Sequence, residues 1–241
     1  MSNAELIVAL DRPSSTEAGI ILDKMPESAG WYKVGLELFI SDGPAALALL
    51  KTRKKNIFLD LKLHDIPNTV ARAVRAAAGW NVSLLTVHAM GGESMMRAAA
   101  EAAKTIGDKA GHRPGSPARA PKIIAVTILT SHSQKDLAAI GIQRKMSDQV
   151  LALAELALKC GVDGLVASVN EARILRKKFG KEFILVVPGI RPAGAENSDQ
   201  KRVATPAMAV EAGADYLVVG RPIIDAQDPS AAANAILDEM K

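Results

Sequence analysis

Short apolar runs rich in Val, Ile and Leu recur along the chain, separated by Ala-rich stretches whose apolar positions fall three and four apart. The runs are L-I-V-A-L near 6, W-Y-K-V-G near 31, N-I-F-L-D near 56, S-L-L-T-V near 83, K-I-I-A-V near 122, D-G-L-V-A near 163, F-I-L-V-V near 183 and D-Y-L-V-V near 215. Near-continuous apolar runs of this length suit strands covered on both faces, and the stretches between them suit crossover helices. Ser14 followed by Glu17 reads as a capping box, and Ala18, Ile21, Leu22 and Met25 then mark one apolar helix face. Gly79, Gly161 and Gly213 stand where a helix can end in a left-handed cap, each followed two positions on by a polar residue that opens the next strand. Eight strand–helix units in one chain predict an α/β fold, a (β/α)8 TIM barrel forming a single domain over 1–241. The competing open, doubly wound sheet usually carries a Gly-rich turn after its first strand, and A-L-D-R-P-S has none.

No linker divides the pattern. The stretch G-D-K-A-G-H-R-P-G-S-P-A-R-A-P, residues 107–121, reads as a mobile surface loop before the fifth strand, on the face away from an active site. The basic cluster K-T-R-K-K at 51–55 falls at a helix C-terminus, where cations suit the helix dipole.

Composition narrows the function classes. The chain has 241 residues, 49% of them hydrophobic, enough for one sizeable core. Its 30 basic and 26 acidic residues leave a net charge of +4, and aromatics make up 3%, which argues against nucleic-acid binding and leaves small anions as partners. The single cysteine, Cys160, reads as an inert core thiol at a helix end. The first strand opens within five residues of Met1 and no apolar run reaches spanning length, so neither a signal sequence nor a membrane helix is expected. The expected location is cytoplasmic.

Against this apolar background the stretch F-L-D-L-K-L-H-D-I-P-N-T, residues 58–69, is anomalous. Strand alternation sends Leu59 and Leu61 toward the covering helices, and Asp60 and Lys62 toward the barrel interior. Both lie at the carboxyl end of their strand, where barrel enzymes place catalytic groups. A structural ion pair plugging the barrel accounts equally well for one such pair taken alone. Asp11, closing the first strand, and Lys33, inside the second, bring further charges to the same mouth. Alternating carboxylates and ammonium groups hold one another ionised, and an ammonium so placed can donate a proton to a substrate that develops negative charge.

The seventh and eighth units, V-V-P-G-I-R-P and V-V-G-R-P-I-I, each place a glycine and an arginine at a strand end, with Pro222 suited to the first turn of a helix. Backbone N–H groups at a helix start plus a guanidinium fork make a phosphate site, and barrels often hold theirs after strands seven and eight. Gln200, in the loop after the seventh strand, is within reach of folding over a bound phosphate, though taken alone it reads as a solvated loop residue.

Taken together, D-L-K-L-H-D-I-P-N-T, A-L-D, Y-K-V-G, I-L-T-S, P-G-I-R-P and V-G-R-P, in barrel order from Asp11 to Pro222, closely resemble the orotidine 5′-phosphate decarboxylase family of the bacterial type. The resemblance implies loss of carbon dioxide from orotidine 5′-phosphate to give uridine 5′-phosphate, the last step of pyrimidine synthesis, with neither metal nor organic cofactor. It implies that Lys62 protonates the carbon that loses the carboxylate, with Asp60 against that carboxylate and Asp65 and Lys33 completing the charged array. Asp11 and Lys33 match ribose contacts, Thr130 a base contact, and Arg191, Gln200, Gly220 and Arg221 the phosphate grip. Asp65 and Thr69 match positions that reach the neighbouring subunit's site, which implies a homodimer with shared sites. The stretch 107–121 is longer than the resemblance requires.

Three other readings share parts of this pattern: a metal-dependent sugar-phosphate decarboxylase or aldolase with the D-x-K-x-x-D spacing, a Schiff-base aldolase using Lys62 or Lys33, and a non-catalytic binder of nucleoside monophosphates. The extension I-P-N-T after Asp65 argues against the first. Of the histidines, His64 has the wrong parity for the mouth, His88 ends the fourth strand as a polar plug, and His112 and His132 fall in loops; none has metal-ligand spacing.

Overall fold

Each strand pairs in parallel with the next, and the eighth pairs back to the first, closing the barrel β1-β2-β3-β4-β5-β6-β7-β8. The strands are β1 Glu5–Ala9, β2 Trp31–Val34, β3 Asn56–Leu63, β4 Leu84–His88, β5 Lys122–Val126, β6 Gly164–Val166, β7 Ile184–Val187 and β8 Tyr216–Val219. The helices are α1 Ser15–Asp23, α2 Leu36–Thr52, α3 Pro67–Gly79, α4 Gly92–Ala110, α5 Gln134–Ala139, α6 Met146–Lys159, α7 Val169–Phe179, α8 Pro206–Glu211, α9 Arg221–Ile224 and α10 Pro229–Glu239. The computed structural model describes residues 4–110, 120–192 and 204–241. Among them no helix is long and apolar enough to cross a membrane.

The alternation along each strand sorts its side chains into two cores. Ile7, Ala9, Trp31, Phe58, Leu84, Ile124, Val186 and Val218 fill the barrel interior. Their neighbours Val8, Tyr32, Ile57, Leu59, Leu85, Ile123, Leu185 and Leu217 join the larger core between strands and helices. Fully burying a Leu or Ile side chain contributes about 1.5–3 kcal/mol, so this outer layer is where most of the stability resides. At the amino end of the barrel Trp31 Nε1–H donates to Glu5 Oε2 at 2.6 Å and packs edge-on against Tyr216, closing the floor.

Helix ends follow local chemistry with two departures from expectation. Ser14 caps α1 by accepting from Glu17 N–H at 3.2 Å, while reciprocal capping boxes form at Ser133 with Asp136 and at Ser168 with Glu171. Gly161 and Gly213 have φ of 81° and 87°, the left-handed caps expected of them. Gly79 instead stays within α3, and Asn81, with φ of 60°, takes the left-handed position. Asparagine tolerates that conformation better than most side chains, so the stop moves two residues along. The polar residues after the other two glycines tie neighbouring strands together: Asp163 Oδ2 accepts from Ile123 N–H at 2.8 Å and Asp215 Oδ2 from Leu185 N–H at 2.7 Å. The expected loop at 107–121 also starts later than its composition suggests, because α4 continues to Ala110; residues 111–119 lie outside the described residues.

Candidate active site

The charged mouth is built on an irregularity in β3. Phe58 pairs with Leu84 and Leu59 with Leu85, but the next partners are Leu63 and Val87, so four residues of β3 span two of β4. The surplus is taken up by a bulge in which Lys62 has φ of 49°, a left-handed conformation that costs a side-chain-bearing residue roughly 1–2 kcal/mol. Thr86, on β4 and fully buried, stands across the gap. Its Oγ1 accepts from Lys62 N–H at 2.8 Å and donates to Asp60 Oδ1 at 3.0 Å. Asp60 and Lys62 both line the mouth, as alternation predicts, but a bulge rather than an unbroken strand delivers the lysine.

From there the charges run in sequence around the wall. Lys62 Nζ lies 2.9 Å from Asp60 Oδ2, Lys33 Nζ 3.9 Å from the same oxygen, and Lys33 Nζ 2.8 Å from Asp11 Oδ1. Three adjacent strands thus supply an array of alternating sign at their carboxyl ends. The Asp60 side chain is 14% exposed, so it meets these partners with little water between them. Charges held this way are pre-organised, needing no rearrangement as charge develops in a bound substrate.

The array opens into a cavity of about 620 Å3, whose other walls include Thr130 and Ser131 after β5, Pro188, Gly189 and Arg191 after β7, and Gly220 and Arg221 after β8. Gly189 has φ of 79°, which turns the chain so that Arg191, 8% exposed, faces the cavity. Ile190 bridges to Ala204, so both ends of the segment between them meet at the rim; Gln200 lies outside the described residues. Gly220 is the N-cap of α9 and Pro222 sits in its first turn, leaving Arg221 at the helix start. The two arginines and two glycine turns thus line the same cavity as Thr130 and the acid–lysine array, and a Cβ at Gly220 would stand 3.6 Å from Asp11 Oδ2, so the turn after β8 adjoins the Asp11 end of that array.

Asp65 and Thr69 are placed elsewhere. Residues 64–69 are all exposed, neither side chain lines the cavity, and Asp65 Oδ1 accepts from Ile66 N–H at 2.6 Å. Within a single chain they are therefore not brought to Lys62.

Three residues shape the site without having been singled out beforehand. Thr86 follows the same inward parity as Leu84, and that alternation was its available signal. Arg12 lines the cavity and donates to Ile224 O at 2.6 Å and Asp225 Oδ1 at 2.7 Å, tethering the far end of α9 to the first strand; nothing local in A-L-D-R-P marks it. Gly35 leaves room for the Lys33 ammonium, a close approach that only the folded chain reveals.

His88 stacks on His64 with ring centroids 5.7 Å apart, and its Nδ1 accepts from Met90 N–H at 3.2 Å. Burial, followed by electrostatic opposition from the neighbouring His64, Lys62 and His132 side chains, holds its pKa down to about 4, so it is a neutral hydrogen-bond acceptor at ordinary pH. Among the described residues no group of three or more His, Cys, Asp or Glu side chains is placed to hold a metal ion.

A closed (β/α)8 barrel with an acid–lysine array and two arginines lining one cavity at its carboxyl end defines a barrel enzyme. Residues 4–236 match the model of the orotidine 5′-phosphate decarboxylase / HUMPS family. The chain is 49% identical over 241 residues to an orotidine 5′-phosphate decarboxylase of Nostoc sp., covering 100% of this chain and 98% of that one. It is 48% identical over 238 residues to that of Moorella thermoacetica, covering 98% and 92%. A crystal structure of orotidine 5′-phosphate decarboxylase from Lactobacillus acidophilus superposes with a TM-score of 0.84 at 39% identity, over 99% of both chains. The chain belongs to the orotidine 5′-phosphate decarboxylase family, and its reaction class is that of a carboxy-lyase.

Proposed function

We propose that this enzyme converts orotidine 5′-phosphate to uridine 5′-phosphate and carbon dioxide at the mouth of the barrel, with Lys62 as proton donor and without a cofactor. The observation that carries the reading is the unbroken run Asp11, Lys33, Asp60, Lys62, with contacts of 2.8, 3.9 and 2.9 Å, in the same cavity as Arg191 and Arg221. The substrate's phosphate fits Arg191 and Arg221, its ribose fits Asp11 and Lys33, and its base fits Thr130. The carboxylate then points at Asp60 and Lys62. Decarboxylation breaks the carbon–carbon bond, carbon dioxide leaves, and the electron pair stays on the pyrimidine carbon. The Lys62 ammonium gives that carbon its proton and is reprotonated from water. Pre-organised stabilisation of the developing carbanion by Lys62 accounts for catalysis with fewer assumptions than repulsion of the ground-state carboxylate by Asp60.

The working form in this reading is a homodimer, with Asp65 and Thr69 serving the partner's site. Its support is the exposed strip at 64–69 flanked by apolar side chains that a monomer would leave in water: Leu36 at 51%, Ile40 at 79%, Ile66 at 67% and Met90 at 38% exposure. All four follow the carboxyl ends of β2, β3 or β4, on the rim next to the charged array. A cytoplasmic place in uridine 5′-phosphate synthesis follows from the substrate.

The test is release of carbon dioxide together with uridine 5′-phosphate by the purified enzyme after exhaustive chelation. Full activity is expected, and none from Lys62→Ala. Loss with EDTA and recovery with magnesium would point to metal-dependent sugar-phosphate chemistry instead, a lysine adduct trapped by borohydride would point to a Schiff-base aldolase, and binding without turnover would leave a nucleotide binder.

A further inference from the structure

We propose that Thr86 is a positioning residue for Lys62, holding the lysine in the conformation from which it donates its proton; the proposal rests on the reading of Lys62 given above. A hydroxyl offers one proton and two lone pairs. Here both capacities are spent on the two ends of the bulge, since Oγ1 accepts from Lys62 N–H at 2.8 Å and donates to Asp60 Oδ1 at 3.0 Å. The Lys62 side chain closes the triangle on the other carboxylate oxygen, Oδ2, at 2.9 Å. One side-chain atom from the neighbouring strand therefore sets both the backbone of the lysine and the orientation of the carboxylate it pairs with.

Three features make this more than ordinary strand packing. The ladder between β3 and β4 is out of step between Leu59 and Leu63, so Lys62 has no residue partner in the β4 register there, and its N–H turns instead to the Thr86 hydroxyl. The left-handed φ of 49° at Lys62 is a state that persists only where the surroundings over-determine it. Thr86 is fully buried and flanked by the fully buried Leu85 and Val87, so the hydroxyl is held in place by close packing on its own strand. Thr86 does not line the cavity, and its influence must pass through Lys62 and Asp60.

Thr86→Val keeps the β-branched shape and removes both hydrogen bonds, whereas Thr86→Ser keeps the hydroxyl. A misplacement of about 1 Å in a reacting group can cost on the order of a hundredfold in rate. Thr86→Val is accordingly expected to lower kcat by at least about tenfold with KM changed by less than about threefold, and Thr86→Ser to stay within about threefold of wild type in both. In the unaltered enzyme the Lys62 amide, followed by NMR, should exchange slowly with deuterium, and in Thr86→Val it should exchange fast. Rapid exchange in wild type overturns the proposal even if the valine variant fails to fold. So does an unchanged kcat in Thr86→Val, or failure of the serine variant to retain activity. If Lys62→Ala itself turns over normally, the proton-donor reading falls instead, and with it the kinetic half of the proposal; the amide exchange still reports whether Thr86 holds the bulge.

Discussion

Gly35 leaves the space that the Lys33 ammonium occupies: a Cβ at position 35 would stand 2.6 Å from Lys33 Nζ and 3.1 Å from Asp11 Oδ1. The glycine has φ of −96°, open to any residue, so its role is room rather than backbone freedom. Gly35→Ala should therefore fold with nearly unchanged stability, because a flexible lysine end can move aside, yet displace Lys33 from Asp11 and Asp60. The expected result is a fall in kcat/KM of at least about tenfold, more than 1 kcal/mol in barrier terms, with an unchanged thermal midpoint. Equal activity in the alanine variant would remove Lys33 from the reaction.

The placement of Asp65 outside its own chain's cavity sets up a complementation test. Lys62→Ala and Asp65→Ala homodimers should each be nearly inactive. After subunit exchange half the dimers are mixed, each with one doubly defective and one intact site, so about a quarter of all sites should regain activity. With exchange verified by tagged subunits, no recovery would mean that Asp65 acts within its own subunit or not at all.

Tyr32 Oη is buried with no hydrogen-bond partner among the described residues, and burial pushes its pKa up to about 12, opposed only weakly by Arg53. Leaving such a group unsatisfied costs about 1–3 kcal/mol, so Tyr32→Phe should raise stability by about 1 kcal/mol in urea unfolding at neutral pH. The unfolded phenol ionises first, near its ordinary value of 10.0, so wild-type stability falls as pH rises from there toward 12. The phenylalanine variant should lack that alkaline loss; a variant less stable than wild type would mean the hydroxyl has a partner.

His88 should contribute to the acid limb of stability. Its folded pKa of about 4 lies below the ordinary 6.5, so between these values the unfolded state binds more protons and stability falls as pH is lowered. Protonation also destroys the acceptor for Met90 N–H. Urea midpoints measured from pH 7 to pH 4 should fall more steeply in wild type than in His88→Asn, which keeps a side-chain acceptor but does not titrate. Parallel curves would assign the acid limb to the carboxylates.

Much of this molecule is local and was readable as such. Eight apolar runs alternating with helical stretches imply a barrel because a parallel strand covered on both faces must be apolar on both, and a crossover helix must follow it. Inward parity puts Asp60 beside Phe58 and Lys33 beside Trp31 whatever their neighbours are, since the two-residue period belongs to the strand itself. The glycine–arginine turns after β7 and β8 were legible for the same reason: they are properties of a few consecutive residues.

What only the tertiary structure decided is everything that depends on a partner from another strand or helix. The bulge that turns Lys62 into the left-handed region answers to the register of β4 and to one hydroxyl on it, and nothing within D-L-K-L-H-D encodes that register. The stop at Asn81 in place of Gly79, and the hold of Arg12 on Asp225 across the closure of the barrel, are likewise choices among locally acceptable alternatives. Sequence periodicity specifies which face a side chain takes; which atom it meets there is set by strand register and close packing, which couple residues far apart in the chain.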